Sequence, residues 1–179
     1  MRVYYITGSS SGIGRALTET LLQREDVKVF GLSRHNEIDH PNFEHIAIDL
    51  SDMEKVQRFH FEAWPDAEQV VLVNNAGPLG DVAPTGRIED RQTVKAIQLN
   101  MLAPMILTNS FFRSYCPHPA KALVINISSG AGKYPVDGWS TYCSSKAGLD
   151  MFTQVTAKEM EKRERDGHCK IFAIAPGIV

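Results

Sequence analysis

Tyr142 and Lys146 stand four residues apart in the stretch 126–146, NISSGAGKYPVDGWSTYCSSK. Ser144 to Leu149 reads as helix, so the phenol and the amine share one helix face. A cation beside a phenol favours the phenolate and lowers its pKa. A tyrosine tuned in this way exchanges a proton near neutral pH. The apolar run Val124 to Ile127 reads as a strand that ends on two hydroxyls, Ser128 and Ser129. Either would face the pair from the strand's end. Taken alone, the same spacing also describes an exposed Tyr and an exposed Lys on a solvated helix. The rest of the chain decides between the two.

The N-terminal stretch supplies the first support. Arg2 to Ile6 is rich in β-formers, Thr7-Gly8-Ser9-Ser10-Ser11-Gly12-Ile13-Gly14 is a glycine-rich turn, and Arg15 to Gln23 has helical periodicity. Strand, turn and helix in that order make a dinucleotide cradle. Glycines admit the pyrophosphate to the backbone, and the helix N-terminus offers free N–H groups and partial positive charge. A second strand, Val27 to Leu32, ends at Ser33-Arg34. An acidic residue there would hold a ribose 2′-hydroxyl, whereas Arg34 accommodates a 2′-phosphate and so favours NADP(H) over NAD. Arg15 is a second cation near the same place.

The order of elements then repeats. Phe43 to Leu50 is a third strand ending at Asp49-Leu50. Ser51-Asp52-Met53-Glu54 has capping-box spacing and opens a helix expected to reach Trp64. Gln69 to Val73 is an apolar strand suited to the middle of a parallel sheet. It leads into Asn74-Asn75-Ala76-Gly77, small residues at a strand's C-terminal end, where ligands sit in open α/β sheets. Ile88 to Tyr115 is helical but interrupted at Pro104, which lacks the N–H that would bond the Asn100 carbonyl. That carbonyl is free for a water. Ala122 to Ile127, a helix from Ser140 to Arg165, and a strand from Lys170 to Ala175 complete the chain before Pro176-Gly177-Ile178-Val179. Trp139 is suited to lining a pocket above the Tyr142 helix, or equally to plain packing.

Composition limits the alternatives. A chain of 179 residues with 43% hydrophobic content is expected to form one globular domain, 1–179. Net charge of −2 offers no basic field for nucleic acid or an anionic membrane. Three scattered cysteines without a CxxC favour a reducing compartment, and no histidine pair has metal-ligand spacing. No signal-peptide pattern or membrane-length apolar run is seen. The expected location is the cytoplasm.

Taken together, these motifs resemble the short-chain dehydrogenase/reductase family: TGSSSGIG at 7–14, NNAG at 74–77, Asn100, ISS at 127–129, YxxxK at 142–146 and PG at 176–177, in the family's order. Within the family the chain looks most like the sepiapterin-reductase branch. The resemblance implies a doubly wound α/β Rossmann fold with parallel strand order 3-2-1-4-5-6. It implies a carbonyl reductase acting with NADPH on a ketone or a benzil-like 1,2-diketone. Sepiapterin or 3-oxoacyl-thioester reduction, or non-catalytic NADP binding, are the alternatives. It selects Ser129 over Ser128 as the catalytic serine, with Tyr142 as the acid, Lys146 as its partner and Asn100 as the holder of a relay water. The cofactor would run over Gly8, Ser10, Ser11, Gly12, Ile13, Gly14, Ser33, Arg34, Asp49, Leu50, Asn75, Ala76, Gly77, Tyr142, Lys146, Pro176, Gly177 and Ile178. Family members form dimers or tetramers through their long helices. They also continue past the PG turn with a substrate-covering loop and a last strand, so the expected fold is C-terminally incomplete.

Overall fold

The computed structural model describes residues 1–163 and 167–177. Its centre is a six-stranded parallel sheet in the order β3-β2-β1-β4-β5-β6, as expected. The strands are β1 (Arg2–Thr7), β2 (Val27–Ser33), β3 (Phe43–Ala47), β4 (Gln69–Asn74), β5 (Lys121–Ile127) and β6 (Cys169–Ile174). Helices α1 (Gly12–Leu21), α2 (Met53–Arg58), α3 (Asp90–Ile97), α4 (Ala103–Tyr115) and α5 (Ser140–Arg163) connect them. The expected helix end at Arg165 lies outside the described residues, as does Ile178.

Side-chain alternation explains the two layers. Val3 and Tyr5 of β1, Val70 and Leu72 of β4, and Val124 of β5 join one core with Val56 of α2 and Leu107, Phe111 and Tyr115 of α4. Ile6, Val29, Val71 and Val73 face the other way, against Leu17 and Leu21 of α1. A strand covered on both faces must be apolar throughout, and β4 is nearly so. Strand order reverses between β1 and β4. There the connections leave in opposite directions, which opens a crevice at the strands' C-terminal ends.

Of the places where the elements differ from the sequence reading, three bear on the core and the site. The first is α2, which stops at Arg58 rather than Trp64, with Phe59 already extended at ψ 129°. Continuing the helix would scatter Phe59, Phe61 and Trp64 around its circumference. As a loop, the segment sets Phe61 edge-on to Tyr5 at 4.9 Å and to Phe111 at 5.2 Å, and Trp64 Nε1 donates to the Tyr5 hydroxyl at 3.1 Å. The second is the cap of α2. Asp52, not Ser51, accepts from the Lys55 N–H, while the Ser51 hydroxyl donates to Asp49 Oδ1. The third is β3, which ends at Ala47 and leaves Asp49 and Leu50 beyond the strand.

The helical run through Pro104 is also more specific than a kink. Residues Gln98–Leu102 form a π-helical turn that joins α3 to α4. Proline supplies no N–H at 104, so the ladder is remade with wider spacing and the axis continues. This turn carries Asn100.

One glycine fixes how α1 meets the sheet. A Cβ on Gly14 would lie 2.3 Å from the Gly8 carbonyl oxygen and 2.4 Å from Asn75 Nδ2. Both are held by backbone or by hydrogen bonds, so neither can yield. Gly14→Ala is therefore expected to cost about 2 kcal/mol or more of stability, the scale of an overpacked core. Gly130→Ala, where nothing lies within 4 Å of the new methyl group, is the control and should be near neutral. Urea unfolding of the pair measures this; equal midpoints would refute the packing role of Gly14.

Candidate active site

The crevice between β1 and β4 is walled by a clamp of hydrogen bonds. The Thr7 hydroxyl accepts from the N–H groups of Asn75 and Ala76, and Asn75 Nδ2 donates to the Thr7 carbonyl at 2.9 Å. The two strand ends are thus locked before the chain reaches Gly77. Gly8 and Gly12 have φ of +69° and +53°, which glycine adopts without the usual steric cost. No atom lies within 4 Å of a Cβ built on Gly12, so the turn is open on its outer side. The first turn of α1 holds no acidic residue, and the Ser11 side chain makes no cap bond. Its free N–H groups and dipole therefore face the crevice uncompensated, an arrangement that suits a pyrophosphate.

Two clefts meet over this turn. The first, about 410 Å³, is lined by Gly8, Ser10, Ser11, Ser33, Arg34, Asp49, Leu50, Asn75, Ala76 and Gly77 among the expected cofactor residues. The second, about 690 Å³, is lined by Ile13, Asn75, Gly77, Ser129, Tyr142, Lys146, Pro176 and Gly177. Asn75 and Gly77 border both, so the clefts form one trough from Arg34 to Tyr142. Gly12 and Gly14 line neither. Gly12 shapes the turn and Gly14 packs inward. Arg34 is exposed, whereas Arg15 is engaged by Glu19 at 2.8 Å and Glu37 at 2.6 Å.

The Tyr142–Lys146 pair is formed as the helical spacing requires. Lys146 Nζ lies 5.7 Å from the Tyr142 ring centroid and donates to the Ile127 carbonyl at 2.8 Å. The residue is only 3% exposed, and burial pushes its amine down to about 8, with the charge of Asp150 opposing the fall. At neutral pH it remains an ammonium with protons to spare beyond the bond to Ile127. Both serines line the second cleft, but their hydroxyls are bonded differently. Ser129 Oγ accepts from the Ala131 N–H at 3.2 Å, which leaves its own proton for another acceptor. Ser128 Oγ is buried without a hydrogen-bond partner.

Asn100 is fully buried. Its Nδ2 donates to the Pro78 carbonyl at 3.1 Å and to Ser145 Oγ at 3.2 Å, and these bonds fix which way the amide points. Its Oδ1 is left without a partner. A Cβ on Gly77 would lie 3.1 Å from Lys146 Nζ and 3.2 Å from that Oδ1. The bare face of Gly77 therefore looks onto an ammonium with unused protons and an unused acceptor. The expected role of Asn100 ran through its backbone carbonyl; the unsatisfied atom here is on its side chain.

Several lining residues carried no signal in the sequence. Lys95 on α3 reaches the first cleft, and Leu79 and Val136 the second. Trp139 does line the second cleft, with its ring perpendicular to that of Tyr142 at 5.8 Å. Asp49 is held below the usual carboxylate range, chiefly by the Ser51 N–H and hydroxyl, with smaller help from the charges of Arg34 and Lys95. Among the described residues no cluster of His, Cys, Asp and Glu is placed to hold a metal ion, and no helix is long and apolar enough to cross a membrane.

Comparison with known proteins gives a consistent result. The family description "short chain dehydrogenase" matches residues 2–179. Benzil reductase ((S)-benzoin forming) of Bacillus cereus is 36% identical over the whole chain and 76% of its own length. The Bacillus subtilis (strain 168) protein of the same description is 34% identical, over the whole chain and 75% of its length. A sepiapterin reductase of Xenopus laevis is 28% identical over 96% of the chain and 71% of its own. Among solved structures, a metagenomic short-chain oxidoreductase in complex with NADP has TM-score 0.81 and 27% identity, over 99% of this chain and 83% of that one. The 4-hydroxyisoleucine dehydrogenase complexed with NADH has TM-score 0.81 and 25% identity, over 99% and 76%. Both nicotinamide cofactors thus occur among the structural neighbours.

Proposed function

Because the chain belongs to the short-chain dehydrogenase family, we propose that it is an NADPH-dependent carbonyl reductase acting on a ketone or a benzil-like 1,2-diketone. The observation that carries this reading is the continuity of the trough. A phosphate-binding turn at one end leads to Tyr142, Lys146 and Ser129 around a single cleft at the other. The residues fit the dinucleotide. Open glycines and an uncompensated helix N-terminus would take the pyrophosphate, and Arg34 would take a 2′-phosphate. When bound, the reduced nicotinamide supplies the hydride.

The chain's own groups do the rest. Ser129 and Tyr142 donate hydrogen bonds to the carbonyl oxygen, where negative charge develops. Tyr142 gives up its proton as that charge forms, a general acid step worth about 10²–10⁴-fold in rate. The Lys146 ammonium, beside the ring, stabilises the charge left on the phenol oxygen. Asn100 Oδ1 and Lys146 Nζ, both facing Gly77, would hold a water through which that proton is replaced. Trp139, Leu79 and Val136 make the substrate side of the cleft largely apolar, which suits a neutral aryl ketone. Val94 and Leu102 around the π-helical turn, with Met151 and Val155 on α5, are exposed apolar residues on neighbouring helices and favour assembly as a homodimer or tetramer.

The test is NADPH oxidation by the purified protein with benzil, sepiapterin and an acetoacetyl thioester side by side. Benzil is expected to have the highest kcat/KM. A higher value for sepiapterin or the thioester would reassign the substrate. Tight NADPH binding with no turnover of any of the three would favour a non-catalytic NADP-binding protein.

A further inference from the structure

Lys146 has to be charged for the chemistry above, yet it sits where charge is costly. It is 3% exposed, and only one carboxylate acts on it. That carboxylate is Asp150, one turn further along α5, so that Tyr142, Lys146 and Asp150 fall at successive turns of one helix face. Asp150 Oδ1 is buried and has no hydrogen-bond partner. Its other oxygen lies over the turn that begins at Ser129. A Cβ on Gly132 would be 2.9 Å from Asp150 Oδ2 and 3.0 Å from the Lys146 carbonyl carbon. The glycine thus lets the Ser129 turn settle onto the helix face beside this carboxylate.

We propose that Asp150 is a positioning residue of the reduction: its carboxylate, one helical turn beyond Lys146 and half-buried beside the Ser129 turn, keeps the ammonium that serves Tyr142 protonated. The proposal rests on the reductase reading for its meaning, though not for its measurement. A solvated surface carboxylate would be hydrogen-bonded to water and worth little. One oxygen of Asp150 is withdrawn from water without a partner, so its charge is screened less than that of a fully solvated carboxylate.

The other groups around Lys146 leave this role to Asp150. On β5 it meets the Ile127 carbonyl, on the π-helical turn the Asn100 amide, and in the loop after β4 Gly77. None of these ionises. On α5 the ionisable neighbours are Tyr142 and Asp150. Lys133, past the Ser129 turn, shares a cavity with Asp150 on the side away from the reaction cleft. A second cation there cannot stabilise the ammonium.

The sign of the effect follows. Burial lowers the Lys146 titration and Asp150 raises it. Removing the carboxylate therefore lowers it further, and the ammonium is lost at a lower pH. In Asp150→Asn the alkaline fall of kcat for ketone reduction is expected to move down by about half to one pH unit. The Lys146 side chain, followed by NMR in protein carrying 13C-lysine, should titrate lower by the same amount. Asp150→Glu should restore both at least in part, and NADPH affinity should change little. Asp150→Ser, which also removes the charge, serves if the Asn variant does not fold. An unmoved Lys146 titration in a folded, uncharged variant overturns the proposal, even if kcat falls. A lowered titration in a protein that reduces no ketone sustains the Lys146–Asp150 coupling and overturns the reductase reading instead.

Discussion

Replacing Tyr142 by Phe is expected to lower kcat for ketone reduction by about 10³-fold or more, while NADPH binds within about threefold of the unaltered protein. The substitution removes one hydroxyl and leaves the ring. The perpendicular contact with Trp139 at 5.8 Å and the position over Lys146 depend on the ring alone, so the shape of the cleft should survive. In the proposed mechanism, what disappears is the proton of the general acid and one of the two hydrogen bonds to the carbonyl oxygen. The glycine-rich turn proposed to take the pyrophosphate lies at the other end of the trough, which is why cofactor affinity should be spared. Stopped-flow oxidation of NADPH and fluorescence titration of its binding measure the two quantities separately. Parallel loss of both would make Tyr142 a structural residue and remove the acid from the mechanism.

The parts of this site that could be read from the sequence are those whose chemistry is local. A glycine turn between a strand and a helix, and two side chains four apart on a helix, are complete within a few residues. The Tyr142–Lys146 pair needed only helical geometry, and Gly8 and Gly12 needed only a positive φ. Strand order followed from the family resemblance; the alternation of strand and helix points to a parallel sheet but does not order it, and the link from β2 to β3 carries no helix. The limits of α2 did not follow. Nothing between Met53 and Trp64 forbids a helix; the aromatic residues leave it because Tyr5, Phe111 and Tyr115, on two other elements, offer them a better place.

The buried amides were hidden for the same reason. Asn74 Nδ2 donates to Asn126 Oδ1 at 2.8 Å, and Asn126 Nδ2 donates to the Thr153 hydroxyl at 2.8 Å. This chain of bonds ties the ends of β4 and β5 to α5 and so helps set the helix that carries Tyr142. In sequence, the three residues lie far apart and read as a turn, a strand end and a helix surface. Asn100 was visible as an odd residue in a helix. Its unsatisfied Oδ1 was not, because it depends on Pro78 and Ser145 taking both protons of the amide. Asp150 gave no signal at all, since an Asp on a helix ordinarily faces water.

Arg34→Asp should reverse the cofactor preference, with the ratio of NADPH to NADH affinity falling by about 10²-fold or more. A charge-assisted hydrogen bond contributes about 1.5–3 kcal/mol, or one to two powers of ten. An aspartate in its place adds repulsion of the phosphate and offers the ribose hydroxyl an acceptor. Arg34 is free to bind the phosphate, because among the described residues it makes no ion pair, whereas Arg15 is held by Glu19 and Glu37. Across the cleft, Asp49 is a carboxylate that the Ser51 N–H and hydroxyl hold further below the usual carboxylate range. A 2′-phosphate therefore enters against one fixed negative charge and needs a cation to offset it. Arg34 is exposed, so the preference of the unaltered protein for NADPH should weaken as salt is raised. Titrations of both cofactors at two ionic strengths measure these effects together. An unchanged ratio in Arg34→Asp would move recognition of the phosphate to Lys95, the other cation that borders the cleft.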